Sequence, residues 1–188
     1  MYTCDLTANL NTSLQNLYPT NPEQIMNCVE IGSFEGRGSV LIHNILCNNK
    51  DSLLYCIDPF DNEYVKGNDL MSFWNHACNG QYVKFKNNTS SLSKIIEMKG
   101  ISDIMIPMLG DNSIDFCYID GDHSPEQVYK DIKNIFRKMK NKGIVLFDDY
   151  LWTINGIVTK KGIDKFLEEY KGKYELLFQN YQLAIRVN

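Results

Sequence analysis

Apolar positions along the chain fall into two alternating kinds of segment. Short solid runs occur at CVEI (28–31), LLYCID (53–58), YVKF (82–85), FCYID (116–120) and GIVLFDD (143–149), and each predicts a buried strand. Between them lie stretches that predict helices: through SVLIHNIL (39–46), near 68–78, near 91–98, over 124–140 and near 161–170. The stretch 124–140 is the clearest, because Val128, Ile132, Ile135, Phe136 and Met139 repeat at helical spacing. The chain closes with YELLFQ and QLAIRV on either side of Asn180–Tyr181, the pattern of a β-hairpin. Strands that alternate with helices pair in parallel and are covered on both faces. The expected fold is therefore α/β: a mostly parallel sheet of seven strands, helices on both faces, and a C-terminal antiparallel hairpin.

Residues 1–24 are polar, with Leu10, Leu14 and Leu17 spaced for a short helix before Pro19 and Pro22 interrupt it. They are read as an N-terminal extension with a candidate lid helix, and 25–188 as one domain. At 188 residues the chain is long enough for a single α/β core. A formal net charge of −4 gives no reason to expect nucleic acid as a partner. Lys138, Lys140 and Lys142 read as a solvated helix end. No basic segment leads into an apolar one at the start, and no run reaches the ~18 apolar residues of a membrane span, so neither a secretory signal nor a membrane partner is expected. The six cysteines are scattered without zinc-like spacing, and Cys28, Cys56 and Cys117 fall inside predicted core strands. A reduced, cytoplasmic setting is the expectation. Oligomeric state is not readable, and a homo-oligomer is compatible with the sequence.

A parallel sheet binds ligands at the carboxyl ends of its strands. The first strand runs into VEIGSFEGRGS (29–39), where Glu30 is followed by Gly32, Gly36 and Gly38. Glycines there let the chain turn sharply and bring backbone N–H groups to a ligand at a helix N-terminus. The spacing is not the G-x-G-x-x-G of dinucleotide binders, and no G-K-[ST] follows. Asp58 ends the second strand, where a carboxylate can accept both hydroxyls of an adenosine ribose. IDGDHS (119–124) follows the fourth strand and FDDY (147–150) the fifth. Together they set Asp120, Asp122, His123, Asp148 and Asp149 at one sheet edge. Carboxylates this close repel, so a cation or shared protons must compensate; oxygen ligands from two adjacent loops suit Mg²⁺. The plainer reading gives Asp122 and His123 to helix capping before Ser124-Pro125, and Asp148 to a turn.

These motifs resemble those of the class I S-adenosylmethionine-dependent methyltransferases, with their Rossmann-like sheet. The pair IDGDHS and FDDY is similar to the metal-dependent small-molecule O-methyltransferases, nearest the macrocin-type sugar enzymes and more distantly the catechol type. The resemblance implies that Gly32, Ser33, Gly36 and Ser39 of the turn hold the methionine part of the cofactor and that Glu30 orients it. It implies Asp58 for the ribose, Thr89 and Ser90 of NNTSS (87–91) for adenine, and Asp120 at the junction with the chemical half. It further implies Asp120, Asp148 and Asp149 as Mg²⁺ ligands and His123 as general base, with Asp122 orienting His123 or assisting deprotonation. At Gly38 the catechol-type relatives carry serine, and Ser39 is expected to take over that contact.

The chemistry fits these residue types. An alcohol holds its proton with a pKa not far below that of water, roughly 15. A chelated cation lowers that barrier, and an imidazole of pKa about 6.5 takes the proton near neutrality. His43 and His76, the other histidines, fall inside predicted helices. A metal-independent enzyme relying on His123 alone, and an inactive binding module of the same fold, are the alternatives. An amino-group methyltransferase is disfavoured because strand four is followed by DGDH, not [DN]-P-P-[YF]. The acceptor is expected to be a small-molecule hydroxyl, on a sugar before a phenol. Candidate specificity elements are residues 1–24, the loop 61–75 with Tyr64, Phe73 and Trp74, and Tyr150-Leu151-Trp152.

Overall fold

A computed structural model of the chain describes residues 8–60, 80–154 and 156–188. The expected helix near 68–78, the aromatics Tyr64, Phe73 and Trp74, and His76, Cys4 and Cys78 lie outside them. Helix α1 spans Ala8–Leu17, strand β1 Asn27–Ile31, helix α2 Arg37–Leu46 and strand β2 Leu53–Asp58. Helix α3 follows at Gln81–Thr89, strand β3 at Ile95–Lys99, a one-turn helix α4 at Ser102–Met105 and strand β4 at Ile114–Ile119. Helix α5 spans Pro125–Phe136, strand β5 Met139–Phe147, and the short strands β6 (Thr153–Ile154) and β7 (Ile157–Val158) form their own hairpin. Helix α6 (Lys160–Glu169) and the antiparallel pair β8 (Tyr174–Gln179) and β9 (Leu183–Val187) complete the order.

The seven-stranded sheet runs β3-β2-β1-β4-β5-β9-β8, parallel except where β9 meets β5 and β8. Strand periodicity sorts its side chains into two cores. Val29, Ile31, Cys117, Ile119, Val145 and Phe147 face α5 and α6, whose Val128, Ile132, Ile163 and Phe166 complete one cluster. Cys28, Phe116, Tyr118, Ile144, Leu146 and Ala184 face the other way and pack with Leu10 and Leu14 of α1, Ile42 and Leu46 of α2 and Phe85 of α3. Helices thus cover both faces as expected. Leu10 and Leu14 are wholly buried, so α1 is part of this second core. Among the described residues no helix is long and apolar enough to cross a membrane.

Three details differ from the sequence reading. YVKF (82–85) lies in helix α3, not in a strand, and the third strand is Ile95–Lys99, inside the stretch expected as a helix. The reason is visible in burial: α3 hides only Gln81, Phe85 and Thr89, one residue per turn, so its apolar stripe is too thin to register as helical. β3 is an edge strand paired on one side only and merely half-buried, which blurs its alternation. Helix α5 ends at Phe136, and β5 already starts at Met139. Lys138 and Lys140 therefore stand at a strand start and not at a helix end, each bonded to a carboxylate, of Asp111 and Asp115 respectively.

Candidate active site

The order of the sheet reverses between β1 and β4, and that switch point is where open α/β sheets bind ligands. Gly32 leaves β1 there with φ +89°, and its N–H donates to the Ile57 carbonyl at 2.9 Å. A Cβ on Gly32 would stand 2.0 Å from the carbonyl oxygen of Asp120 and 2.8 Å from Cα of Gly121. The glycine turn and the loop after β4 are therefore in direct backbone contact. Gly36, in the left-handed region at φ 81°, caps helix α2. Between them the Ser33 hydroxyl is buried without a hydrogen-bond partner, although it stands close enough to Glu30 to ease that group's charge. An orphaned polar atom costs about 1–3 kcal/mol. Set in a glycine cradle before a helix N-terminus, it fits the polar methionine end of S-adenosylmethionine.

Glu30 lies beneath the turn, 1% exposed, and accepts a short hydrogen bond from the Ser39 hydroxyl. A Cβ at Gly38 would fall 2.3 Å from its Oε1, so the carboxylate itself explains that glycine. Burial pushes Glu30 up to about 7, against the opposing pull of Ser39 and Ser33. Its folded pKa thus exceeds its unfolded one. Folding favours the protonated form, and stability is lost as pH rises from about 4.5 through about 7. Glu30→Gln is accordingly expected to stabilise the ligand-free protein by about 3 kcal/mol well above pH 7, at 1.36 kcal/mol per pKa unit, and to change little at pH 4. Urea midpoints at the two pH values measure this; equal shifts at both would show that folding leaves the Glu30 pKa unchanged.

Asp58 at the end of β2 is already well occupied. Its Oδ2 accepts from the Phe34 N–H at 2.9 Å, and its Oδ1 from the Phe60 N–H at 2.6 Å and from Gln81 Nε2 at 3.0 Å. Burial raises its pKa despite these bonds. A carboxylate offers about four lone-pair sites, and with the Ser33 backbone N–H also bonded to it all four are taken, so a hydroxyl enters only where a donor such as the Gln81 amide swings aside. Thr89 and Ser90 sit at the end of α3, before β3 and not after it. The Thr89 hydroxyl donates to the Phe85 carbonyl, and Ser90 is exposed and donates to Asn87. The segment that does follow β3 starts at Gly100, whose N–H donates to the Asp58 carbonyl at 3.0 Å. The reason for assigning adenine to Thr89 and Ser90 was their place after strand three, and it falls with that place.

Across the switch point, ladder bonds continue past the strands: Asp120 N–H donates to Ile31 and Asp148 N–H to Ile119, both at 2.9 Å. The carboxylates of Asp120 and Asp149 and the His123 ring place one potential ligand atom each within 4.8 Å of one another. His123 Nε2 lies 2.6 Å from Asp149 Oδ2, and the Trp152 ring packs 4.7 Å from the imidazole. Asp120, His123, Asp148 and Asp149 line a pocket together with Val128, Phe147, Thr159 and Ile163. Asp148 stands beside the trio, with Oδ1 accepting from Gln182 Nε2 at 2.6 Å. Asp122 is exposed and accepts from the Ser124 N–H at 2.7 Å, a turn leading into α5, whose N-cap is Ser124. The carboxylate that orients His123 is therefore Asp149, not Asp122. Burial, and then the neighbouring carboxylates, raise Asp120 and Asp148 above the usual range. A set of carboxylates that disfavour one another's charge, beside an imidazole, is a donor set that fits a hard divalent cation such as Mg²⁺.

The sequence reading missed several groups in this layer. Tyr118 hides its hydroxyl 3.3 Å from Asp120 Oδ2, and Tyr181 donates to Asp149 Oδ1. Gln182 holds Asp148. The available signal was strand register: Phe147 pairs with Leu183 in the antiparallel ladder, which sets Asp148 opposite Gln182 and Asp149 opposite Tyr181. Of the proposed specificity aromatics, Tyr150 is 1% exposed and bonded to Asp164, so it belongs to the core. Trp152 packs against the ring of His123.

The chain belongs to the methyltransferase-domain family, whose model matches residues 29–150. It is 34% identical over 142 residues to the uncharacterized protein R132 of Acanthamoeba polyphaga mimivirus, covering 73% of this chain and 57% of that relative, so the chain spans little more than half its length. Among solved structures it resembles the O-methyltransferase NovP, with TM-score 0.70 and 16% identity over 96% of this chain and 78% of that one. It also resembles an O-methyltransferase from Bacillus cereus in complex with SAH, with TM-score 0.65 and 12% identity over 99% and 84% of the two chains. The fold of this chain is thus the one found in those two solved O-methyltransferases.

Proposed function

We propose that this chain transfers a methyl group from S-adenosylmethionine to a hydroxyl of a small molecule, a sugar before a phenol, at the edge formed by β4 and β5. The observation that carries this reading is the His123–Asp149 pair at 2.6 Å, set beside Asp120, whose own carbonyl backs Gly32 of the cofactor turn. When bound, S-adenosylmethionine would supply both the methyl carbon and the positively charged sulfur that keeps the electron pair of the broken bond. Asp149 holds the imidazole with Nε2 toward itself, which leaves the other ring nitrogen to accept the proton of the acceptor hydroxyl as its oxygen forms the new bond to carbon. Asp120, Asp149 and Asp148 beside them would hold Mg²⁺, which supplies a Lewis acid that lowers the pKa of the hydroxyl. Trp152, and Tyr181 at 38% exposure, offer ring faces to an acceptor. The names of the O-methyltransferases with this fold support oxygen as the acceptor atom.

A metal-independent reading has an observation of its own. His123 and Asp149 already form a base with an orienting partner, an arrangement that takes a proton without a cation. Calorimetric titration with S-adenosylmethionine and S-adenosylhomocysteine, with Mg²⁺ or with EDTA, comes first, followed by turnover on a panel of sugar and phenolic acceptors. Micromolar cofactor binding and EDTA-sensitive turnover are expected. Turnover that survives EDTA would transfer the chemistry to the His123–Asp149 pair alone, and a folded protein that binds neither cofactor would end the enzymatic reading. Asp148→Ala is expected to remove metal-dependent turnover with cofactor affinity nearly unchanged, and Asp58→Ala to do the reverse. Full activity of Asp148→Ala on a proven acceptor would refute the metal assignment.

A further inference from the structure

The β8–β9 turn reaches the acidic pair with two consecutive residues, and one of them is itself held by α1. Gln182 is 1% exposed and Ser13, on α1, 5%. The Ser13 hydroxyl donates to Gln182 Oε1 at 2.6 Å, and Gln182 Nε2 donates to Asp148 Oδ1 at 2.6 Å. The backbone of Gln182 is fixed as well. Its N–H donates to Asn180 Oδ1 at 2.9 Å and its carbonyl accepts from Asn180 N–H at 2.8 Å. Parity explains the geometry. Gln182 lies two residues before Ala184, and Asp148 two after Leu146, so both continue the face against which Leu10 and Leu14 of α1 pack. The register that pairs Phe147 with Leu183 then sets the two side chains opposite each other.

We infer that Gln182 is a positioning residue for Asp148, and that Ser13 of α1 anchors the far end of its amide. A glutamine amide has an accepting end and a donating end, and only the donating end is compatible with an ionised carboxylate. Asp148 accepts only, so the NH₂ group faces it, and the Ser13 hydroxyl satisfies the Oε1 end that is left. A buried chain of this kind, with every member bonded, specifies one arrangement where an isolated carboxylate would have several. Seating of α1 on the core is thereby transmitted to the acidic site, 135 positions further along the chain at Asp148. The inference uses the proposed site but not the identity of acceptor or metal.

The test combines three readouts on the full chain. In a double-mutant cycle, Ser13→Ala and Asp148→Asn, which do not touch, are expected to give non-additive urea midpoints. The non-additivity should vanish in a Gln182→Leu background. The Gln182 side-chain amide resonances, assigned by their loss in Gln182→Leu, are expected to move in both single variants. Third, Mn²⁺ binding followed by electron paramagnetic resonance is expected to weaken at least fivefold in Ser13→Ala and in Gln182→Leu. Ser13→Thr should restore it, and S-adenosylhomocysteine affinity should stay within twofold throughout. Additive midpoints together with unmoved amide resonances would overturn the inference. If the unmutated protein binds no Mn²⁺, the metal reading of the site fails while the first two readouts still decide the role of Gln182.

Discussion

Replacing His123 by alanine is expected to lower methyl transfer by roughly 10²–10⁴-fold, the usual contribution of a positioned general base, with S-adenosylhomocysteine affinity within about twofold. The expectation rests on geometry: the ring is held by Asp149 at 2.6 Å and packed against Trp152, so one orientation is imposed before any acceptor arrives. Because the same ring offers a nitrogen to the cluster with Asp120 and Asp149, the variant also separates two roles. As a base, His123 can be lost with divalent-cation affinity intact; as a ligand, it cannot. Single-turnover rates on a proven acceptor, paired with Mn²⁺ titration, give both answers. A rate within threefold of the unmutated protein would remove His123 from the chemistry altogether.

Gly32→Ala carries the largest expected effect on the fold. The residue sits at φ +89°, a region that costs a side chain roughly 1–2 kcal/mol by itself. The added Cβ would also lie 2.0 Å from the Asp120 carbonyl oxygen, a backbone atom that cannot move without displacing the loop carrying Asp120 and His123. Together these place the loss above about 4 kcal/mol, a large part of the 5–15 kcal/mol that holds a domain folded. Gly172→Ala is the control. It has the same backbone hand, φ +85°, but nothing within 4 Å, so it is expected to cost only about 1–2 kcal/mol. Chemical denaturation of both variants, with S-adenosylhomocysteine binding of any folded Gly32→Ala, measures the difference. Equal losses would mean that the contact across the switch point relaxes freely.

Much of this site was legible in advance. The buried strands β1, β2, β4 and β5 announce themselves as apolar runs because both of their faces are covered, and the residues that follow them must then gather at one edge. Glu30, the glycine turn, Asp58, Asp120, His123, Asp148 and Asp149 are all found on that logic. β3 and α3 were not legible, for the opposite reason: an edge strand and a thinly buried helix leave patterns that alternation and helical spacing cannot separate. The pairing of His123 with Asp149 in preference to Asp122 also escaped the reading, since Asp122 is adjacent in the chain. The structure gives Asp122 to the Ser124 N–H, and the left-handed backbone of Asp149, φ +51°, accompanies its approach to the ring.

Outside α3 and β3, the alternation of strands and helices and the strand ends that carry acidic groups follow from periodicity within a few neighbouring residues. Which partners those groups meet depends on tertiary packing. Gln182 reaches Asp148 and Tyr181 reaches Asp149 through the register of β5 against β9. Ser13 reaches Gln182 because α1 packs on that face of the sheet. Register and packing are set by the whole core at once, and no local pattern of residues encodes them.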